Sequence, residues 1–240
     1  MSLKNRRYKP YFKSFAKLRE NITGNPKLLK FKKKKWRALV NRLSKVQRRR
    51  SYRRRNFHHV SHHISRNAKP LKISFRVRTS AKKKLNIFYG KFTEKKLKSF
   101  FKLAFFDSKT KHKGRRKEDL LIVNLESRLD SILFRSHFFQ SFRQTRQYIT
   151  HGGVYVNERL ELSANYKVQP GDVIEISKEK QELVRKNILS SKFFPFPPRY
   201  LEIDFTTLTI VVVEEINVFK VPFLFPFWLN LKTIFAHYQL

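Results

Sequence analysis

The sequence predicts an α+β fold: a helical domain with a small αα-β module inserted into it, preceded by a long basic N-terminal extension. Three observations predict it. Between Leu125 and Ile176, two short apolar-periodic segments run straight into a turn-rich pair of strand patterns. The segments on both sides of that stretch carry helical periodicity. The charge is also divided: residues 1–117 hold 41 lysines and arginines against three acids (Glu20, Glu94 and Asp107), whereas residues 118–240 hold fourteen of each sign. The expected organisation is a basic extension over 1–84, the first part of the helical domain over 85–124, the module over 125–178, and the rest of the helical domain with an apolar tail over 179–240.

The formal net charge of +38 thus lies wholly in the first half. A compact domain so charged repels itself, which calls for a polyanionic partner. Nucleic acid meets that need better than an anionic membrane surface. Cysteine is absent, which excludes disulfides, thiol nucleophiles and cysteine-ligated zinc. No apolar signal segment opens the chain. The early Arg/Lys bias is that of an organellar transit peptide, but it continues for another hundred residues, and an RNA-binding extension explains it more economically. The 24 phenylalanines against six glycines, with abundant Lys and Asn, resemble translation from an AT-rich genome, as in many organelles.

Residues 1–30 are expected to be irregular. Pro10, Gly24 and Pro26 interrupt any period, and Tyr8, Tyr11, Phe12 and Phe15 lie among cations, a pattern that stacks rings on bases and sets cations on phosphates. From Lys32 to about Arg50, the spacing of Trp36, Leu39, Val40, Leu43 and Val46 predicts an amphipathic helix. It leads into Arg48, Arg49, Arg50, Arg53, Arg54 and Arg55, a run too charged to fold alone and expected to contact RNA. His58, His59, His62 and His63 could pair imidazoles on one helical face. No acidic or thiol ligand lies nearby and the surroundings are cationic, so RNA or solvent contact is expected there and no metal or cofactor is. Residues 66–84 read as a linker with at most one short strand around Ile73–Val77.

From Leu85 the chain reads as folded. Thr93 is the expected N-cap, with Glu94 in the first turn. Leu97, Phe100, Phe101, Ala104 and Phe105 then form a core stripe at helical spacing. Lys109–Arg116 is a basic loop around Gly114, and no phosphate-cradling glycine motif occurs anywhere.

In the module, a helix beginning near Glu118 is expected to present Leu125, Leu129, Ile132 and Leu133 inward and Arg128, Asp130 and Arg135 outward. Ser141 with Gln144 spells a capping box. The helix it opens buries Phe142, Thr145 and Ile149, with Arg143, Arg146 and Gln147 on the other side. Backbone N–H groups at a helix start favour phosphate, and two arginines within one turn strengthen that preference. His151-Gly152-Gly153 ends the helix, Val154–Val156 is a strand, Asn157-Glu158 a turn, and Pro170-Gly171-Asp172 a second turn into a strand over Val173–Ile176.

The order of these residues resembles the RNA-binding domain of the universal small-subunit ribosomal protein four family. The matching residues are Arg128-Leu129-Asp130, Ser141, Arg146-Gln147, His151, Val154, Val156-Asn157, Arg159, Tyr166, Val168, Pro170, Asp172 and Val173, in register without a gap from Glu126 to Ile176. The flanks Ile87–Gly90 and Pro197–Asp204 also resemble that family's, with Tyr200 where an aromatic is expected. There are departures. Ser127 replaces Gly, the hairpin Asn-Gly has become Asn157-Glu158, Phe142 stands where Arg is usual, and the N-terminal zinc knuckle of some members is missing. These suggest a divergent organellar member, mitochondrial in preference to plastid.

The resemblance implies a structural constituent of the small ribosomal subunit. It would bind small-subunit ribosomal RNA early in assembly, near the entrance for mRNA, beside proteins of the third and fifth small-subunit families, without membrane contact. The RNA contacts it implies are Arg128, Arg135, Ser141, Arg143, Arg146, Gln147, His151, Asn157, Arg159 and Lys167, with the arginines of 48–55 added by the extension. On this reading Arg146→Ala weakens RNA binding without unfolding the domain. Two other functions compete. A free ribosome-associated RNA-binding factor carries the same domain but lacks the two flanks. A pseudouridine synthase places an essential Asp in an R-L-D signature, yet here Arg128-Leu129-Asp130 lies within the module's own first helix. Only 64 residues follow Ile176, too few for a catalytic domain, and no enzyme is expected.

Beyond Ile176, residues 178–189 read as a helix and Leu208–Val213 as a strand. Residues 217–240 are apolar but interrupted by Pro222, Pro226, Lys220 and Lys232, which argues against a membrane span. A protein-facing tail or a strand pair is expected there.

Overall fold

The structure, a computed structural model, describes residues 12–18, 20, 22–23, 34–42, 44, 75–111, 113–190, 197–217, 225, 227 and 229–238. In chain order the helices are α1 (Phe12–Leu18), α2 (Phe75–Phe88), α3 (Glu94–Lys109), α4 (Lys117–Glu126), α5 (Leu129–Arg135), α6 (Phe142–Thr150), α7 (Gln181–Leu189) and α8 (Leu231–Tyr238). The strands are β1 (Val154–Val156), β2 (Arg159–Leu160), β3 (Val173–Ile176), β4 (Leu201–Asp204) and β5 (Thr209–Val212). The chain divides into two compact units, residues 1–88 with 223–237 and residues 89–222 with 238–240.

In the first unit, Phe15, Ile22 and Leu39 are buried, as are Leu85, Ile87 and Phe88 at the end of α2. Phe88 meets Phe225 and Phe227 edge-on, with centroids 5.2 and 5.8 Å apart. Lys84 Nζ donates to Glu20 at 2.8 Å. Three expectations are corrected in this unit. The stretch read as irregular contains α1. The stretch read as a linker contains most of α2: it has no Gly or Pro after Pro70, its Arg, Ala, Lys and Leu favour helix, and its apolar end is buried. The tail forms α8 in place of a strand pair, opened by Asn230, whose Oδ1 accepts from Thr233 N at 3.4 Å. The amphipathic helix expected from Lys32 is present as a 3₁₀ turn, Lys34–Trp36, running into helical residues 37–42. Arg48, Arg49, Arg50, Arg53, Arg54, Arg55 and the four histidines lie outside the described residues.

The second unit is built as the alternation of patterns predicts. Thr93 caps α3 by accepting from Lys96 N at 3.4 Å, and Leu97, Phe101 and Ala104 of its stripe are buried. Helix α4 buries Leu120, Leu121, Ile122 and Leu125 together with Asn124 and Glu126, so it is covered nearly all round. The helix expected to run on from Glu118 through Leu133 is instead split. Arg128 is extended (φ −77°, ψ 143°), because the backbone here bonds to a distant segment. Leu129 N donates to Tyr166 O and Val168 N to Ser127 O, both at 2.9 Å.

Five antiparallel strands follow in the order β2-β1-β3-β5-β4. The register alternates sides as a pleat requires. Val154, Val156, Ile174, Ile176, Ile210, Val212 and Leu201 point into the core and are buried. The opposite face carries Leu160, Tyr155, Glu175, Thr209 and Asp204 in one cross-strand row and Val173, Val211 and Glu202 in the next. All of these are half-buried or exposed. The turn between β1 and β2 puts Asn157 and Glu158 at φ +48° and +65°, the left-handed pair that a two-residue hairpin demands.

Candidate nucleic-acid interface

The break before α5 turns the Arg128-Leu129-Asp130 motif inward. Asp130 is fully buried and Arg128 only 2% exposed. Arg128 donates to both Asp130 oxygens, Nε to Oδ1 at 2.9 Å and Nη2 to Oδ2 at 2.7 Å. Arg146 reaches the same carboxylate from α6, Nε to Oδ2 at 2.7 Å. Its Nη1 and Nη2 donate to the carbonyls of Gly90 (2.9 Å) and Tyr89. The ring of Phe92 faces both guanidinium groups, 4.7 Å from Arg128 and 4.9 Å from Arg146, an arrangement that offsets part of the cost of burying charge. Gly90 is required where it stands. Its φ is +76°, and a Cβ there would lie 2.9 Å from Phe142 Cβ and 3.1 Å from Arg146 Nη1.

A second carboxylate, Glu126, is also fully buried. It accepts from Tyr89 Oη at 2.6 Å and from Arg135 at 2.8 Å (Nε) and 2.6 Å (Nη2). Burial works against the Arg135 charge, but Glu126 outweighs it and the Arg135 pKa is raised. Burial, then the Glu126 charge, pushes the pKa of Tyr89 and of Tyr200 above the ordinary tyrosine value. Lys96, partly buried and close to Arg128 and Arg146, has its pKa lowered by burial and by those two cations. Two acids thus hold three arginines inside the module.

The expectation that Arg128, Asp130 and Arg135 form the exposed side of the first helix is therefore corrected. Each is buried or nearly so: side-chain exposure is 2% for Arg128, 0% for Asp130 and 13% for Arg135. Arg146, at 23%, belongs with them, so removing it would disturb the fold as well as any contact. What remains outward lies on one stripe of α6. Arg143, Gln147 and His151 follow at steps of four residues, with Arg143 half-buried and the other two exposed. Ser141 Oγ caps the helix by accepting from Gln144 N at 3.3 Å. The reciprocal half of the capping box is shifted by one residue, since Gln144 Oε1 accepts from Gln140 N.

Asn157 and Arg159 are exposed at the hairpin. Asn157 also ties the two turns of the sheet together, Nδ2 donating to Asp172 Oδ1 at 2.8 Å and Oδ1 accepting from Val173 N at 2.9 Å. Lys167 is exposed, and its Nζ donates to Asn124 Oδ1 at 2.9 Å. Sequence reasoning missed Tyr89, Phe92 and Glu126. For Glu126 a signal was present: it and Asp130 stand four residues apart among Leu120, Leu121, Leu125, Leu129 and Leu133. A chain so poor in acids that places two among core leucines has a structural use for them.

Residues 127–174 match the S4 domain family. Curated relatives extend the likeness beyond that domain. The chain is similar to small ribosomal subunit protein uS4m of Marchantia polymorpha, 30% identical over 153 residues, 62% of this chain and 74% of that protein. It is also similar to small ribosomal subunit protein uS4 of Persephonella marina, 32% identical over 172 residues, 68% and 81% of the two chains. To the uS4 of Kosmotoga olearia it is 40% identical over 128 residues, 52% of this chain and 57% of that one.

Proposed function

The chain belongs to the small ribosomal subunit protein uS4 family, and from that membership we propose that it is a structural constituent of a small ribosomal subunit, bound to its RNA. It is not an enzyme. The observation that carries this reading is the division of its arginines. Arg128, Arg135 and Arg146 are held by Glu126 and Asp130 inside the S4 domain, which stiffens the frame. The α6 stripe of Arg143, Gln147 and His151 is left outward at a capped helix. Arg159, Asn157 and Lys167 extend the contact at the hairpin, and Arg48, Arg49, Arg50, Arg53, Arg54 and Arg55 supply much of the sequence-independent attraction to phosphate. The module reads the shape and phosphate spacing of folded RNA, as a rigid frame with a few fixed donors can.

The organelle is the mitochondrion: the composition supports it, and a mitochondrial uS4m is among the relatives. The finer reading places the chain at an RNA junction bound early in assembly, near the entrance for mRNA and beside proteins of the third and fifth small-subunit families. The test is sedimentation of the tagged chain in a gradient after a high-salt wash. A ribosomal constituent stays with the small subunit. Release into the top fractions would instead identify a free ribosome-associated factor.

A further inference from the structure

The outward face of the sheet is acidic, whereas the chain as a whole is strongly basic. Its paired positions hold three carboxylates, Glu175, Glu202 and Asp204, and no lysine or arginine, in a protein of net charge +38. No described cation pairs with Glu175 or Glu202. The Asp204 carboxylate is fixed by hydrogen bonds from Thr206 (2.8 Å from N) and Thr207 (2.7 Å from Oγ1), which hold its pKa down to about 2. Beside the acids run Tyr155, Val173 and Val211, with Tyr155 and Val173 next to Glu175 and Val211 next to Glu202, all half-buried although the other side of the sheet is packed. Leu160 continues this apolar strip at the sheet edge and is 50% exposed. An antiparallel sheet can leave one face in water, but such a face is then normally polar along its whole width.

We propose that this face is a protein-docking surface, and that its occupant is a lysine- and arginine-rich segment of another protein, laid over Tyr155, Val173 and Val211 with its cations on Glu175, Glu202 and Asp204. Phosphate is repelled by three carboxylates, so the face is turned away from RNA. Adjacent strands are ~4.8 Å apart and alternate residues of an extended chain ~7 Å apart. Carboxylates in two neighbouring cross-strand rows are therefore spaced to meet successive outward cations of an extended partner. The complementary charge fixes register and partner choice, and the apolar strip beside the acids is what the partner covers. The inference stands on the sheet alone and does not depend on the ribosomal assignment.

Two arms test it with the full-length chain. In the first, a photoreactive phenylalanine analogue replaces Val211 in cells, and adducts are identified by mass spectrometry. The expected adduct is a Lys/Arg-rich segment of a different protein, with a yield roughly tenfold lower when Glu175→Lys and Glu202→Lys are added. Adducts to RNA, adducts to the chain's own basic residues, or an unchanged yield would overturn the proposal. In the second, a fluorescent peptide of alternating lysine and valine is titrated onto the chain in RNA-free buffer. Net charge repels such a peptide from the chain as a whole, so binding that falls roughly tenfold in the same double variant supports the face as the site. Absent or unaltered binding refutes it. Circular dichroism of the double variant shows that the fold is kept. Loss of co-sedimentation with small subunits would sink the ribosomal reading and leave the peptide arm standing.

Discussion

Arg146 Nε lies 2.7 Å from Asp130 Oδ2, across sixteen residues of chain, on a carboxylate that has no exposure to water. The pair joins α5 to α6, and through Arg128 on the same carboxylate it holds the backbone break before α5. An arginine that the sequence places outward is in this molecule a strut beneath the outward stripe of α6.

Arg146→Ala should therefore lower stability by about 1–3 kcal/mol, because it takes from a buried carboxylate one of its two arginine partners and leaves two backbone carbonyls without their donor. Urea denaturation of the full chain is the measurement. An unchanged midpoint with reduced RNA affinity would return Arg146 to the surface role.

Arg143→Ala combined with Gln147→Ala should do the reverse. Neither side chain is core, so stability should move by no more than about 0.5 kcal/mol. Loss of a charge-assisted contact to phosphate should weaken RNA binding by about 1.5 kcal/mol, roughly tenfold. Filter binding to small-subunit RNA checks it, and full affinity would remove the α6 stripe from the interface.

Replacing Arg48, Arg49, Arg50, Arg53, Arg54 and Arg55 by serine should flatten the dependence of RNA affinity on salt. The slope of log K against log salt should fall by roughly 0.7–0.9 for each phosphate no longer neutralised. A slope identical to that of the unaltered chain would mean that this run touches no RNA.

Glu158→Gly should stabilise the protein by about 1 kcal/mol. Glu158 is held at φ +65°, where a Cβ is strained and glycine is not. Asn157→Ala should destabilise, since it loses the side-chain bonds to Asp172 and Val173 as well as the left-handed preference of asparagine. Thermal melts of the two variants should shift in opposite directions.

Alkali should unfold the chain in a way that tyrosine absorbance reports. Tyr89, Tyr148, Tyr200 and Tyr238 all have pKa values raised above 10.0, with burial the largest cause in each. A raised pKa on an acid means the folded state holds its proton more tightly than the unfolded state. The stability from these groups is full below about pH 10 and is lost as pH climbs above it. These four tyrosines should ionise together with unfolding, as a late cooperative step in the absorbance titration. A smooth titration of all nine tyrosines near the free value would contradict the buried network.

Much of this was legible in the sequence because it is local. Helix α3 was announced by Thr93, Glu94 and a phenylalanine stripe, α6 by Ser141 and Gln144, and the hairpin by Asn157-Glu158 after the alternating Val154-Tyr155-Val156. What could not be read depends on partners far away in the chain. The split between α4 and α5 follows from hydrogen bonds to residues 166 and 168. The inward turn of Arg128 follows from Phe92 and Asp130, and the capture of Arg146 from carbonyls at 89 and 90. The strands β4 and β5 were legible as an extended piece and a strand, but not as the far edge of the same sheet as β1. Helix α2 was hidden by its charge: a cationic run without an apolar stripe along its first half looks the same whether it coils or not.

The buried cluster also has an order in time. Its parts come from residues 89–90, 128–130, 146 and 164, so a chain emerging N-terminus first has released all of its excess positive charge before the last of those parts exists. On the proposed function, the extension would thus reach its RNA while the element that orients it is still unformed, so that capture precedes placement.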